Sequence, residues 1–257
     1  KTIVIEGDGN SASQSFKINP ESELDKLTPK EIRNIIFESG IVGMGGATFP
    51  THIKLNPPKP VDTLIINGAE CEPYLTADYR LMIEKTEEIL SGIKLVARCL
   101  GVKKVYIAIE DNKPEAIAGF KSLNPVVEIK VLKSTYPQGG EKQLIKSVLG
   151  KEVARGKLPF DAGVVVHNIA TVFAIYEAVY FKKPLYERIV TVTGRCLENP
   201  KNLLVRIGTP IKELINFCGP LKEDPAKIIL GGPMMGIAQY TDQVPVIKST
   251  NGVLLFD

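Results

Sequence analysis

Hydrophobic positions change their period along this chain. Unbroken apolar runs, LII at 64–66, VYIAI at 105–109 and VVV at 164–166, are separated by stretches in which apolar residues return every three or four positions. The runs are what strands buried on both faces of a parallel sheet present, and the slower repeat is that of helices laid against such a sheet. Thr28, Pro29 and Glu31 supply an N-cap, a first-turn proline and a capping-box carboxylate, so a helix is predicted from there, with Ile32, Ile35 and Ile36 on one face and Gly40 ending it. One long helix is predicted over residues 78–100, its stripe formed by Leu81, Met82, Ile89, Leu90, Ile93, Val96 and Ala97, with Gly101 as its stop. Further helices over 114–123, 143–149 and 168–180, the last capped by Asn168, alternate with strands over 61–67, 105–109, 126–132 and 163–166. That alternation predicts an α/β fold: a Rossmann-like, mostly parallel sheet with flanking helices.

The texture changes from about residue 187. RIVTVTG, LLVRIG, a helix opening at Thr209-Pro210, KIILGG and GVLLF give a β, β, α, β order, the pattern of a small α+β module over 187–257. At the other end, KTIVI and SFKI flank the turn-rich GDGNS, which predicts a hairpin within residues 1–27 and leaves 28–186 as the main α/β domain.

Composition narrows the function classes. The 257 residues are 44% hydrophobic and 24% charged, ordinary for a globular protein, and a net charge of +3 is too small to point to nucleic acid. No apolar run reaches the roughly 18 residues that a membrane helix needs, and the first residues lack a signal-peptide layout. Cys71, Cys99, Cys196 and Cys218 are far apart with no CxxC pair, which argues against an iron–sulfur cluster or structural zinc within this stretch and for reduced thiols, of which Cys71 alone is expected near a ligand. Lys182-Lys183 reads as a solvated pair.

The candidate chemistry is concentrated in residues 40–73. Gly43, Gly45 and Gly46 fall within four positions, where absent side chains let the backbone approach a ligand and turn successive N–H groups towards an anion. Lys54 adds a point charge suited to phosphate. The spacing is GxxGxGGA rather than GxGxxG, and a helix precedes it instead of a strand, so it is not a Rossmann turn. Asn67, Glu70 and Glu72 leave the end of an apolar strand, where open α/β sheets place ligands. A second glycine site, Gly139-Gly140-Glu141, and the pair His167-Asn168 are expected to converge on the same sheet edge. His52 and His167 lack neighbours at ligand spacing, so no metal site is expected, and no nucleophile elbow is present.

GIVGMGGATFPTHIKL followed by DTLIINGAECEPYLTADYRLM resembles the C subunit of the bacterial Rnf electron-transport complex and, more distantly, the NADH- and FMN-binding flavoprotein subunit of respiratory complex I. The likeness continues through IEDNKPEAI, YPQGGEKQLIK, GVVVHNIAT, TVTG and GGPMMG. It implies an FMN domain followed by a β-grasp SLBB module. It further implies an NADH-dependent flavin oxidoreductase subunit moving electrons between NADH and iron–sulfur clusters, within a complex that couples ferredoxin:NAD⁺ oxidoreduction to ion transport. FMN is expected on Gly43, Gly45, Gly46 and Lys54, with Asn67, Glu70, Gly139, Gly140, Glu141, His167 and Asn168 around it, and NADH on Phe49 and Glu72, core packing being the other expectation for Phe49. The other membrane and peripheral subunits, NAD(H) and, indirectly, ferredoxin are the expected partners, at the cytoplasmic side of the membrane. The two [4Fe–4S] clusters of the family are expected in a segment beyond Asp257. A cobalamin reductase subunit and a docking scaffold that retains the flavin-domain fold are the alternatives. Met44, Leu55, Ala69, Gly140 and His167 depart from the complex I pattern, at positions that bear on NADH more than on FMN.

Overall fold

A computed structural model describes residues 24–123 and 126–257; the hairpin expected within residues 1–18 lies outside them. The first helix, α1 (Pro29–Glu38), opens as the sequence predicts: the Thr28 hydroxyl accepts from the Glu31 amide while the Glu31 carboxylate accepts from the Thr28 amide. Its Ile32 and Ile36 are buried, and Gly40, at φ 63°, turns the chain out of the helix into the glycine loop. A single helical turn, α2 (Thr51–Lys54), follows the loop and precedes β1 (Thr63–Gly68).

Four strands form the first sheet: β1, β2 (Lys104–Glu110), β3 (Glu128–Leu132) and β4 (Val164–Asn168), all parallel in the order β3-β2-β1-β4. Leu64, Ile66, Ile107, Ile109 and Val165 face one core, which contains α1 and the helices α4 (Thr86–Leu100) and α7 (Ile169–Phe181). Alternate residues Ile65, Ala108, Val164 and Val166 face the other side and α6 (Glu141–Leu149). Both faces are covered, which is why these strands read as unbroken apolar runs.

The helix predicted over residues 78–100 is two helices, α3 (Ala77–Glu84) and α4. Lys85, at φ −133° and ψ 35°, breaks the turn while its amide still bonds to Leu81 O. The apolar stripe continues across the break because Leu81, Met82, Ile89 and Ile93 enter the same core. Packing, not local helix propensity, sets where that segment bends. Between β2 and β3 lies α5 (Pro114–Ser122).

After a short linker a second sheet forms in the order β6-β5-β9-β7-β8, from β5 (Glu187–Thr193), β6 (Lys201–Arg206), β7 (Lys227–Leu230), β8 (Ile237–Gln239) and β9 (Gly252–Phe256). Strands β5 and β9 run parallel in its centre, and α8 (Ile211–Cys218) packs on one face through Ile211, Leu214 and Ile215 against Val190, Val192 and Val253. This is the β-grasp arrangement expected, with β8 as a strand that the sequence pattern did not reveal. Lys183 in the linker is not a solvated residue: it is largely buried and pairs with Glu177 at 2.5 Å and Glu187 at 2.7 Å. Among the described residues no helix is long and apolar enough to cross a membrane.

Candidate functional site

The carboxyl ends of β1 and β4 lie side by side, with Asn67 directly opposite Asn168 in register. That edge brings together the glycine loop, the acidic turn, the GGE segment and the His-Asn pair. The loop closes on itself through Gly43 N–H donating to Phe49 O (2.8 Å) and Thr48 N–H donating to Gly43 O (3.1 Å), with a bridge between Val42 and Pro50. Met44 is buried under it, and its N–H donates to the Thr171 hydroxyl on α7 (2.9 Å). Gly45, Gly46 and Ala47 are exposed at the tip, and their amides make no hydrogen bond among the described residues. Gly46 takes φ 114°, and a Cβ there would meet nothing within 4 Å; on Gly45 it would reach Asn168 Cβ at 3.5 Å. Successive free amides in such a loop form an anion-binding hollow.

Lys54 stands beside this hollow on α2 and forms a 2.6 Å ion pair with Glu141 at the first turn of α6. Glu141 is well placed there because the amino end of a helix favours a carboxylate. An ammonium has three donors, so the pair leaves two for another oxygen. Gly139 and Gly140 serve the backbone: a Cβ on Gly139 would come within 2.5 Å of Ala69 O, and Gly140 is the N-cap of α6. The Asn67 amide donates to Gly139 O (2.9 Å) while its carbonyl accepts from Ala69 N–H (3.1 Å), tying the acidic turn to the GGE segment. Cys71 lies in the same tie, accepting from Gly139 N–H at 3.3 Å.

The acidic turn does not present both carboxylates to the hollow. Glu70, expected against the cofactor, turns inward and accepts from the amides of Asp78 (2.9 Å) and Tyr79 (3.1 Å), capping α3. Burial, reinforced by the neighbouring Asp78 carboxylate, pushes the Glu70 pKa up to about 8. Asp78 is itself raised by burial, and one of its oxygens accepts from the Asn168 amide at 2.6 Å. Asn168 also caps α7 through the Ala170 and Thr171 amides, at 2.9 and 3.2 Å. Glu72 reaches the second unit, where one oxygen accepts from Met234 N–H at 3.0 Å; its other oxygen is buried without a partner among the described residues. A Cβ on Gly232 would lie 2.1 Å from that carboxylate, so the glycine of GGPMMG makes room for it. Phe49 is 49% exposed at the mouth of the loop, so the core-packing expectation for it does not hold.

His167 is buried at the end of β4, and its Nε2 has no partner among the described residues. Burial, with the Lys54 charge adding to it, drives its pKa down to about 3, so the ring is neutral. His52 lies elsewhere, edge-on to Phe37 at 4.8 Å.

These residues fit a nucleotide phosphate. The hollow offers three free amides beside a lysine; of the carboxylates around it, Glu70 is withdrawn into a cap, Glu72 onto Met234, and Glu141 is paired with that lysine. The unpartnered Glu72 oxygen and His167 nitrogen supply hydrogen-bonding capacity close to the same edge.

Sequence reasoning did not single out Asp78, Thr171, Arg188, Met234 or Lys248, all of which touch the loop or its supports. Arg188 carried a signal: it shares the inward face of β5 with Val190 and Val192, where a charge needs a buried partner. Thr171 lies one residue after Ala170 in the turn capped by Asn168, and the other three carried no local pattern.

The parallel α/β unit with a glycine loop at its carboxyl edge and the β-grasp unit that follows it each match a family model. The Nuo51 FMN-binding domain matches residues 36–177, more than half of the chain, and the SLBB domain matches residues 189–238. The chain belongs to the Nuo51 FMN-binding domain family. It is 48% identical over 258 residues to the C subunit of the proton-translocating ferredoxin:NAD(+) oxidoreductase complex of Clostridium ljungdahlii, covering 99% of this chain and 56% of that protein. The Na(+)-translocating counterpart of Acetobacterium woodii is 45% identical over 98% of this chain and 58% of its own length. The C subunit of an ion-translocating oxidoreductase complex of Rhodobacter capsulatus is 48% identical, with 98% and 50% covered. The chain thus spans about half the length of these curated relatives. Its fold is shared with an NAD+-reducing [NiFe]-hydrogenase, at TM-score 0.76 and 21% identity over 92% of this chain and 50% of the hydrogenase chain.

Proposed function

We propose that this chain is the FMN- and NADH-binding core of the C subunit of an Rnf-type ferredoxin:NAD⁺ oxidoreductase. The observation that carries the reading is the hollow of free amides at Gly45, Gly46 and Ala47, beside Lys54 and at the carboxyl edge of a parallel sheet. Those amides and the lysine hold the FMN phosphate, and Gly43 shapes the loop that presents them. Asn67 and Asn168 shape the rim, Gly139 and Gly140 bring the rim close, and Glu141 keeps Lys54 aimed across the hollow. Glu70 acts through α3, not by contact. His167 stays neutral, and its free nitrogen faces a cofactor heteroatom or a water.

Phe49, exposed on the loop, is the support for the adenine ring of NADH, and the unpartnered oxygen of Glu72 is the acceptor for a ribose hydroxyl. Bound flavin supplies the redox chemistry, accepting a hydride and passing electrons singly, while the protein binds and orients. The relatives are subunits of ion-translocating complexes, which favours this reading over a cobalamin reductase or a scaffold. Iron–sulfur clusters elsewhere in the full-length protein, other members of the complex as partners and a peripheral position at the cytoplasmic face of the membrane complete the proposal.

Titrating the chain into FMN while following flavin fluorescence tests the first step. Saturable quenching is expected, and its absence would remove the flavin assignment. Anaerobic NADH is then expected to bleach the flavin band; an unchanged band would leave binding without hydride transfer.

A further inference from the structure

The glycine loop is clamped from behind by the second unit. Arg188 on β5 donates through Nη2 to Met44 O at 3.2 Å, and through Nη1 to Lys248 O. Lys248, in the connection between β8 and β9, donates to Gly40 O at 2.6 Å, at the point where the loop leaves α1. The backbone leading into the free amides is therefore held at Gly40 and at Met44 by cations from a part of the chain separated from it by more than a hundred residues. Beside these contacts the two units leave a crevice of about 250 Å³, lined by Met44, Asp78, Phe173, Arg188 and Leu204, so Met44 is not held on that side by close packing alone.

The contact with Met44 has a directional consequence. The carbonyl of Met44 and the N–H of Gly45 belong to one planar trans peptide unit and point in opposite directions. Fixing the carbonyl inward on Arg188 aims the Gly45 N–H outward. The preceding peptide plane is fixed as well, because Met44 N–H is held by Thr171. A loop with glycines at 43, 45 and 46 has many other conformations open to it, and the cationic donor on the Met44 carbonyl selects those in which the Gly45 amide faces away from Arg188. Arg188 is 4% exposed, and Asp78 lines the same crevice to balance its charge.

We propose that the second unit is a working part of the ligand site, with Arg188 and Lys248 as positioning residues that hold the glycine loop in its anion-receiving form. Loop order and docking of the two units are then linked, and a phosphate bound at the tip tightens the interface by the same factor by which the interface tightens phosphate binding. The inference rests on the flavin reading for its ligand, but not for its mechanics.

Two substitutions test it. Arg188→Gln removes the fork, and Lys248→Met removes one donor from a half-buried side chain without leaving Asp78 unbalanced. Amide hydrogen exchange without flavin is expected to speed up by roughly ten-fold at the bonded amides of Gly43, Met44 and Thr48 in either variant, while β1 and β4 keep their parental protection, as the loss of a charge-assisted hydrogen bond implies. FMN affinity is expected to fall by a similar factor, and Lys248→Arg, which restores a donor, to recover both readouts. Parental exchange in the loop of Lys248→Met, or acceleration spread equally over β1 and β4, would overturn the proposal. Failure of the parent chain to bind FMN would remove the flavin reading, and the exchange measurement would still decide the positioning role.

Discussion

Replacing His167 with asparagine should abolish a large part of the acid sensitivity of this fold. In the native state the imidazole is buried with a pKa near 3, against 6.5 for an unperturbed histidine. Between those values the unfolded chain binds a proton that the native state does not, so stability rises with pH across this window and is lost on acidification. At pH 5 the unfolded imidazole is almost fully protonated and the native one almost fully neutral, which removes about 2 kcal/mol relative to pH 7.5. That figure is set by the unfolded pKa alone as long as the native value lies well below pH 5. Urea unfolding of parent and His167→Asn at both pH values, followed by circular dichroism, isolates the effect, because His52 and the carboxylates are common to both chains. The parent is expected to lose about 2 kcal/mol more than the variant on going to pH 5. An equal loss in both chains would show that the ring is protonated in the folded protein, and the account of its burial would be wrong.

Glu70 acts in the opposite sense. Its native pKa near 8, against 4.5 unperturbed, means that the folded state keeps a proton which the unfolded chain has released, so stability falls as pH rises through that window, and Glu70→Gln should flatten the alkaline limb of a thermal-midpoint profile. Gly139→Ala should destabilise the chain by roughly 1–3 kcal/mol in the same urea assay, because the added methyl meets a backbone carbonyl that cannot move aside like a side-chain tip. Phe49→Ala should change stability by less than about 0.5 kcal/mol, its ring being half exposed, yet weaken NADH several-fold with FMN affinity unchanged in parallel titrations.

Much of this architecture was legible because each element repeats its tertiary role locally. The capping box at Thr28, the unbroken runs of β1, β2 and β4, and Asn168 as the cap of α7 are all short-range chemistry that folding left in place. The kink at Lys85 was not, since the stripe on either side keeps one period and only packing fixes where the helix breaks. The candidate site divides in the same way. Its glycines and polar residues were visible as types at strand ends, but where each side chain turns depends on residues distant in sequence. Glu70 and Glu72 look equivalent in GAECEP; one caps α3 and the other reaches Met234. Arg188 was marked by its inward position on β5, whereas its target, a carbonyl within the glycine loop, has no counterpart in local pattern.

The pairing of Asn67 with Asn168 also limits how this chain can change length. Adding a single residue within β4 would bring an imidazole to the helix cap, and deleting one would send a carboxamide into the buried place of His167. A change of two would keep the facing but shift the amino end of α7 along the sheet edge and away from Gly45. Tolerated insertions are therefore expected in the exposed connection between α6 and β4, where they leave the frame of the sheet intact.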